Sequence, residues 1–276
     1  KSVFEVYKGA SINLEWTESL VETCKKAGVE FFTSPYSLDL VDYVDDYVPA
    51  YKVGSGDITW PHIIDKMASK VKPMLIACGA STLDEVDAAV QIANKRTSDI
   101  VLMQCNTNYT ASLENFKYIN LNVLKTLRAM YPDAILGLSD HTPGHATVLG
   151  AIALGANVIE KHFTDSNENE GPDHKFAMNP ASWRDMVDRS NELSFALGNG
   201  VKKVEDNEKE TVVVQRRSIR STRALSAGEI ITESDLICLR PCPTEAISPI
   251  DFDEVIGRVV SENINKGDYL TWSKIK

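Results

Sequence analysis

The sequence predicts an α/β fold built on a parallel sheet, followed by a smaller domain of a different type. Short β-rich runs alternate with amphipathic helical patterns from residue 30 to about 197, as in repeated β–α units. Each run is almost continuously apolar and ends in small or polar residues, which is typical of a strand buried on both faces. With 276 residues, of which 43% are apolar, the chain is long enough for one large domain and one small one.

Six runs are predicted to be parallel strands, namely 30–35 (EFFTSP), 51–56 (YKVGSG), 73–79 (PMLIACG), 100–106 (IVLMQCN), 134–141 (AILGLSDH) and 157–164 (NVIEKHFT). Helices are predicted at about 15–27, at 82–95 behind a Ser81 cap, and at 181–197. Six β–α units fit either a doubly wound sheet or a barrel. A barrel has eight, and the chain opens with a helix, so a barrel would mean that two strands lie upstream of this numbering.

Residues 198–210 (GNGVKKVEDNEKE) are polar, charged and glycine-containing, and they are predicted to link a first domain at 1–197 to a second at 211–276. The second domain carries a weak internal repeat. In it, 224–236 (ALSAGEIITESDL) aligns with 263–275 (NINKGDYLTWSKI), with Gly228 and Gly267 in register. Such a duplication indicates a small, pseudo-symmetric β domain.

The composition excludes several classes of partner. A net charge of -10 argues against a nucleic-acid or anionic-membrane surface, because both require clustered Lys and Arg. No apolar stretch approaches the roughly 20 residues that span a bilayer, and the amino end lacks a signal-peptide core, so we expect a cytoplasmic protein. The five cysteines are odd in number and form no CxxC pair, which favours reduced thiols over disulfides or a zinc cluster.

Polar and charged side chains crowd the carboxyl ends of the predicted strands. Because parallel strands end at one edge of a sheet, these side chains are expected to meet where α/β folds bind ligands. A single polar strand end is ordinarily just a strand becoming a loop, but here five of the six are crowded. The residues concerned are Ser34, Tyr36, Lys52, Ser55, Asp57, Asn106, Thr107, Tyr109, Ser139, Asp140, His141, Glu160, Lys161 and His162.

The run YKVGSGD is the best candidate for an anion site. Lys52 offers a positive charge, and the glycines on either side of Ser55 let the backbone approach a ligand. Ser55 adds a hydroxyl and an amide, and the combination suits phosphate. Ser139 and the small residues of ACG, on neighbouring strands, are placed to complete the site. A plain turn is the alternative, since Gly-Ser-Gly turns are common.

His141 and His162 follow consecutive predicted strands. Taken singly, each is more simply a hydrogen-bonded residue beneath a loop. Together at one sheet edge, the two imidazoles are placed to ligate one divalent ion, with water and substrate oxygens as the remaining ligands. Asp140 and Glu160 flank them and are predicted to be their hydrogen-bond partners. Asp173, in EGPDHKF, either closes a loop over the same pocket or lies in a solvated turn.

The motifs PAYKVGSGD, GLSDHT, EKHFT and GPDH, in this order, resemble the sialic acid synthase family, which includes N-acetylneuraminate synthase and its legionaminate, pseudaminate and spore-coat polysaccharide relatives. The resemblance covers nearly the whole chain, and the C-terminal part is similar to that family's antifreeze-like (SAF) domain. It implies a TIM (β/α)8 barrel whose first two strands are absent from this chain. A small, mostly β SAF domain of the β-clip type would follow the barrel.

The resemblance implies a transferase that condenses phosphoenolpyruvate with an N-acylated sugar, such as N-acetylmannosamine or a related 2,4-diacetamido hexose, to give a nine-carbon 2-keto acid and phosphate. His141 and His162 would bind Mn²⁺, with Mg²⁺ or Co²⁺ as alternatives, to polarise the sugar aldehyde. Asp57 aligns with an acidic residue beside the reacting carbons and would transfer a proton. The implied substrate-binding residues are Lys52, Ser55 and Ser139 for phosphate, Ser34 and Thr107 for the carboxylate, and Tyr36, Tyr109 and Asp173 for the sugar.

Arg240, in CLRPCP, matches the SAF-domain arginine that reaches the N-acyl group of sugar bound in the partner subunit, so the resemblance also implies a domain-swapped homodimer. The chain departs from the family pattern at Ala77 and Cys78, where a Ser or Thr is common. The segment CNTNY has its polar residues shuffled, which leaves the choice between Asn106 and Thr107 open. The family's first two strands, which carry a Glu and a phosphoenolpyruvate-binding Lys, have no counterpart in this sequence.

Two other classes of function remain open. Another divalent-metal barrel lyase or aldolase would use the histidine pair without consuming phosphoenolpyruvate, and it leaves the SAF-like tail unexplained. A non-catalytic sugar-binding or ice-binding protein would account for the absent strands and the tail. Ice binding needs a flat, weakly charged face, whereas the tail carries the charged residues Arg216, Arg217, Arg220, Arg223, Glu229, Asp235 and Arg240.

Overall fold

The computed structural model describes residues 2–276. The chain divides into two compact units that meet between Gly198 and Asn199, and each is described by itself. The first unit alternates strands with helices, and the second contains a small antiparallel sheet. Within the described residues, no helix is both long enough and apolar enough to cross a membrane.

The first unit is built on a five-stranded parallel sheet whose spatial order follows the chain order. Its strands are β1 (Tyr51–Val53), β2 (Met74–Ala77), β3 (Ile100–Cys105), β4 (Ile135–Asp140) and β5 (Ala156–Lys161). Each lies within a predicted run or starts one residue before it. The sixth predicted strand, at 30–35, is wrong. Its residues pair with β1 at one position only, the parallel bridge between Thr33 and Tyr51, and one bridge does not make a strand.

The two faces of this sheet carry different side chains. Tyr51, Ile76 and Leu102 belong to the main apolar core, which also contains apolar residues of several helices of the first unit. The alternate residues Leu75, Val101 and Met103 form a small separate cluster on the opposite face, here called the inner face. Gly137 of β4 keeps that face closely packed, since a Cβ there would lie 2.9 Å from Met103 Cγ and 2.9 Å from the Val158 carbonyl oxygen.

Eight helices accompany this sheet in the described part of the first unit. They are α1 (Val3–Ala10), α2 (Thr17–Ala27), α3 (Leu38–Val44), α4 (Pro61–Ala68), α5 (Leu83–Ala93), α6 (Val123–Met130), α7 (Ala146–Ala153) and α8 (Pro180–Leu197). Helix α1 was not predicted. The predicted Ser81 cap of α5 is wrong, because Thr82 accepts from the Glu85 N–H in a capping box, whereas the Ser81 hydroxyl donates to the Cys78 carbonyl.

The second unit has its own apolar core beneath an antiparallel pair of strands, β6 (Ser218–Ser221) and β7 (Leu236–Leu239). Two short helices, α9 (Lys209–Gln215) and α10 (Phe252–Val255), belong to it. The stretch 198–210, predicted as a linker, is exposed and contains a 3-10 turn at Asp206–Glu208 and the beginning of α9.

The internal repeat is visible in the backbone of the second unit. Leu225 and Ile264, at equivalent positions, form an antiparallel bridge with each other, and each is 1% exposed. Gly228 has φ +92° and Gly267 has φ +87°, so both turns use the left-handed region that favours glycine. Equivalent apolar residues from the two halves therefore build one shared core.

Candidate active site

The predicted site residues of the first unit gather where the strands end, on the inner face. Lys52 lies between Tyr51 and Val53, which belong to the helix-facing core, so its side chain points to the inner face. Its ammonium lies 3.2 Å from Glu160 Oε2, and the Ser139 hydroxyl donates to Glu160 Oε1 at 3.0 Å. Three strands, β1, β4 and β5, thus supply one polar cluster.

Ser55 lies beside this cluster, in the turn after β1. Its hydroxyl accepts a hydrogen bond from the Gly79 N–H at 3.0 Å, which ties the end of β1 to the end of β2. A Cβ on Gly79 would lie 2.0 Å from Thr107 Oγ1 and 2.8 Å from Ser55 Oγ. Only glycine therefore lets both hydroxyls approach the backbone here. We refer to Lys52, Ser55 and Ser139 as the anion pocket.

Cys105, at the end of β3, connects the anion pocket to the histidines. It is 6% exposed. Burial raises the pKa of its thiol, but hydrogen bonds involving His141, Ser55 and Ser139 outweigh burial and leave the pKa lowered. The same sulfur thus lies within reach of two residues of the anion pocket and of one imidazole. The two halves of the predicted site are therefore contiguous.

The two imidazoles lie side by side, with ring centroids 5.1 Å apart. His141 Nδ1 lies 2.9 Å from the Asn106 carbonyl oxygen, and His162 Nδ1 lies 3.3 Å from Asp173 Oδ2. Burial lowers the pKa of His141, but the Cys105 thiol and the Asn106 carbonyl outweigh it and raise the pKa overall. Burial and the neighbouring His141 lower the pKa of His162. Because Nδ1 of each ring is engaged, Nε2 is the nitrogen through which each would bind an ion.

The partners predicted for these histidines are wrong. Asp140 forms an ion pair with Lys161 at 2.8 Å, and the Glu160 carboxylate turns to Lys52 and Ser139. Strand alternation explains Asp140, which immediately precedes His141, so its side chain leaves the backbone on the other face of the sheet. Glu160 lies on the same face as His162, but its carboxylate pairs with the buried Lys52 ammonium.

Aromatic rings enclose the histidine pair. The Tyr109 ring centroid lies 4.3 Å from that of His141 and 5.9 Å from that of His162. Phe176, which is 2% exposed, packs edge-on against both imidazoles at 6.1 and 5.1 Å. Neither Phe176 nor the role of Cys105 was predicted from the sequence. The position of Cys105 at a strand end, as the first residue of CNTNY, was an available signal, but nothing in HKFAM pointed to the role of Phe176.

The CNTNY segment orients its first two polar residues differently. The Asn106 side chain turns away and donates to the Tyr118 carbonyl at 3.4 Å, so only its backbone carbonyl serves the site. Thr107 points its hydroxyl at Gly79 and Ser55. The geometry therefore brings Thr107, rather than the Asn106 amide, to the anion pocket.

Tyr36 and Asp57 lie at the rim of the anion pocket. Tyr36 is 67% exposed, and a Cβ on Gly54 would lie 3.4 Å from its Cε1 atom. Burial of its hydroxyl and the charge of Asp57 raise the pKa of Tyr36, whereas a hydrogen bond with Ser34 lowers it. Burial raises the pKa of the Asp57 carboxyl. Ser34, Tyr36 and Asp57 therefore lie close together.

Arg240 belongs to the second unit, where its Nε donates to the Gln215 carbonyl at 2.6 Å and its side chain is exposed.

The spacing of the two imidazoles suits a divalent ion whose remaining ligands would be water and substrate oxygens. Across residues 2–276, no group of three or more His, Cys, Asp or Glu side chains is arranged to hold a metal. Two imidazoles that bind one ion at adjacent positions, with nitrogen–metal distances of about 2 Å, place their ring centres about 5 Å apart. The observed spacing of 5.1 Å agrees with that requirement.

Comparison with known proteins identifies the family. The model described as the NeuB family matches residues 1–202, and the model described as the SAF domain matches residues 216–276. The fold and the strand-end site define an α/β enzyme of the barrel type, of which the sheet described here forms five strands. The chain belongs to the NeuB family and carries a C-terminal SAF domain, which confirms the predicted family, fold class and tail.

Similar proteins carry the names of related synthases. The chain is 33% identical to an N,N'-diacetyllegionaminic acid synthase of Legionella pneumophila, over 99% of this chain and 77% of that protein. It is 29% identical to a pseudaminic acid synthase of Campylobacter jejuni, over 98% and 77%. The solved structure of an N-acetylneuraminic acid synthetase from Leptospira borgpetersenii, in complex with citrate, matches with a TM-score of 0.68 and 26% identity, over 74% of this chain and 71% of that one.

Proposed function

We propose that this protein condenses phosphoenolpyruvate with an N-acylated amino-sugar aldehyde to give a nine-carbon 2-keto acid and phosphate, and that it acts in the cytoplasm. The observation that carries the proposal is the contiguity of the anion pocket with the histidine pair around Cys105. Cys105 is paired in register with Ser139, a Cβ on Gly79 would lie 3.0 Å from its sulfur and 2.8 Å from Ser55 Oγ, and the next residue, Asn106, holds His141 through its carbonyl. One half suits a phosphate and the other an aldehyde oxygen, as the two substrates require. The names of the relatives favour a sialic-acid-type product without selecting one.

The anion pocket positions phosphoenolpyruvate. Lys52 supplies the charge, and the phosphate is approached by the hydroxyl of Ser55, in the turn after β1, and by that of Ser139 on β4. Thr107, whose hydroxyl lies against Gly79, and Ser34 are assigned to the carboxylate. The enol carbon C3 is thereby directed toward the histidine half of the site.

The histidine pair positions the aldehyde. When bound, a divalent ion, with Mn²⁺ our first choice and Mg²⁺ or Co²⁺ as alternatives, supplies a Lewis acid at His141 and His162. The Asp173 carboxylate orients the His162 ring through Nδ1, and the Asn106 carbonyl orients the His141 ring in the same way. Tyr109 packs on the rings and, with Tyr36 and Asp173, forms the wall assigned to the sugar.

The reaction balances with one water. A bond forms between C3 of phosphoenolpyruvate and the aldehyde carbon, water adds at C2, and the C2–O bond to phosphate then breaks. Asp57 is our candidate for the proton transfer, because burial raises the pKa of its carboxyl toward the range useful to an acid–base group. The products are phosphate and the 2-keto acid.

Arg240 is proposed to act across a domain-swapped homodimer. Its side chain is exposed and anchored by one hydrogen bond to Gln215, so most of the guanidinium is available to a sugar N-acyl group in the partner subunit. An Arg240→Lys variant that raised KM for the sugar without changing KM for phosphoenolpyruvate would support this assignment, and an unchanged KM for both would oppose it.

The function is tested by incubating the protein with phosphoenolpyruvate, Mn²⁺ and a panel of N-acylated hexosamines, while phosphate and 2-keto acid are measured. We expect stoichiometric release of both with at least one sugar and neither without sugar. Lys52→Met serves as the matched negative control. No phosphate release with any sugar would overturn the proposal, and 2-keto acid formation when pyruvate replaces phosphoenolpyruvate would indicate an aldolase instead.

A further inference from the structure

The Glu160 carboxylate already contacts two of the three residues of the anion pocket, Lys52 and Ser139. Its Oε2 atom lies 3.2 Å from the Lys52 ammonium, and its Oε1 atom accepts from the Ser139 hydroxyl at 3.0 Å. Lys52 is only 9% exposed, and Glu160 is its one ion-pair partner in the described part of the chain. A buried ammonium requires a counter-charge, and Glu160 supplies it.

This arrangement copies the way in which the pocket would hold an oxyanion. One carboxylate oxygen takes the charge of Lys52 and the other takes the hydroxyl of Ser139, as two oxygens of a phosphate would. Lys52 and Ser139 are both buried, whereas the Glu160 side chain is 37% exposed. Of the two charged groups, Glu160 is the one with room to move.

We infer that Glu160 is an internal counter-ion that occupies the phosphate position and that an incoming phosphate must displace; the inference rests on the proposed function of the anion pocket. Two anions that share Lys52 at hydrogen-bond distance repel each other. Displacement of Glu160 therefore weakens the binding of phosphate. The same competition favours release of the phosphate product, since Glu160 returns to Lys52 as phosphate leaves.

The test measures binding of inorganic phosphate to metal-free protein by isothermal titration calorimetry. In Glu160→Gln the amide oxygen still accepts from Ser139, but the competing charge is gone. We expect the Kd for phosphate to fall about tenfold, the size of effect expected when one close charge pair is removed from a partly buried site. Glu160→Ala, which lacks both charge and amide, should bind phosphate more tightly than wild type as well.

A matched control removes the same charge from an exposed pair. Glu22 Oε1, on α2, lies 2.8 Å from Lys26 Nζ, and both side chains are largely exposed. Glu22→Gln should therefore leave the Kd for phosphate unchanged. Circular dichroism establishes that each variant is folded.

The outcomes separate this inference from the proposed function. If wild type binds phosphate, Lys52→Met abolishes binding and Glu160→Gln leaves it unchanged or weaker, the counter-ion role is wrong while the anion pocket stands. If wild type binds phosphate and Lys52→Met binds it equally well, the pocket and the counter-ion role are both wrong. Tighter binding in both Glu160 variants, with Glu22→Gln unaltered, supports the inference.

Discussion

Asp140 and Lys161 form a 2.8 Å ion pair in which each side chain is 1% exposed, and each residue immediately precedes one of the two histidines. The Asp140 carboxylate also accepts from the Thr142 N–H at 3.1 Å and from the Thr147 hydroxyl at 2.7 Å. Lys161 donates in addition to the Thr142 carbonyl. The ends of β4 and β5 are thereby joined behind the site, which fixes the strands that carry both imidazoles.

Asp140→Asn should destabilise the first unit by about 3 kcal/mol, because it leaves the buried Lys161 charge without its partner. Urea denaturation measures the change. The control is Asp188→Asn on α8, whose pair with Arg184 is exposed and should contribute less than about 1 kcal/mol. Equal losses in the two variants would contradict the role of burial.

Gly79→Ala should weaken phosphate binding on the order of tenfold or more while changing stability little. The new Cβ would lie 2.0 Å from Thr107 Oγ1, so the hydroxyls of the site rather than the backbone must move. Calorimetry with inorganic phosphate measures the effect, and adding Thr107→Ala should restore part of the affinity. Gly9→Ala, where a Cβ meets nothing within 4 Å, is the matched control. Wild-type affinity in Gly79→Ala would refute this account.

His162→Ala should abolish metal-dependent turnover and leave the fold intact, because it removes one of the two imidazoles proposed to bind the ion. Electron paramagnetic resonance of free Mn²⁺ reports the loss of binding independently of activity. His62→Ala, at an exposed position on α4, should retain both binding and activity. Full Mn²⁺ binding by His162→Ala would show that the ion is held elsewhere.

Asp235→Asn should destabilise the second unit by about 2 kcal/mol at neutral pH, since its charged hydrogen bonds are lost. Hydrogen bonds from the Thr232 hydroxyl and N–H, and the Arg223 guanidinium, lower the pKa of Asp235 from 3.8. A lowered folded-state pKa means that the stabilisation is complete above 3.8 and disappears as the pH falls through the folded value.

The difference in the free energy of unfolding between wild type and Asp235→Asn should therefore shrink as the pH falls below 3.8. Hydrogen exchange of second-unit amides, followed by mass spectrometry in the full chain, measures it. Asp253→Asn, at an exposed position, is the control for removing one carboxylate from the second unit. A difference between wild type and Asp235→Asn that grew as the pH fell would have the wrong sign and would refute the explanation.

The sequence predicted the sheet well because buried parallel strands are continuous apolar runs. β3 (Ile100–Cys105) is buried throughout, and the predicted run reaches one residue further. The run at 30–35 has only two apolar residues, Phe31 and Phe32, and it forms only one bridge, because strand identity depends on a neighbour as well as on propensity. Helix α1 (Val3–Ala10) was missed although Ser2 and Glu5 form a capping box at its start.

The site was predicted as a set of residues but not as a set of contacts. Strand-end positions identified Lys52, Ser139 and Glu160, yet not that Glu160 pairs with Lys52 across the sheet. That pairing depends on which strands are neighbours and on their register, neither of which a single run contains. The same limit explains why Asp140 was assigned to a histidine rather than to Lys161.

The repeat in the second unit keeps its hydrogen-bonded turns while reversing their charges. In the first half, Arg223 Nε lies 2.6 Å from Asp235 Oδ1; at the equivalent positions of the second half, Glu262 Oε1 lies 3.9 Å from Lys274 Nζ. Basic and acidic partners have exchanged places on the same backbone path. The two halves thus tolerate opposite ion-pair polarity, while backbone hydrogen bonds and apolar contacts that do not depend on charge hold them together.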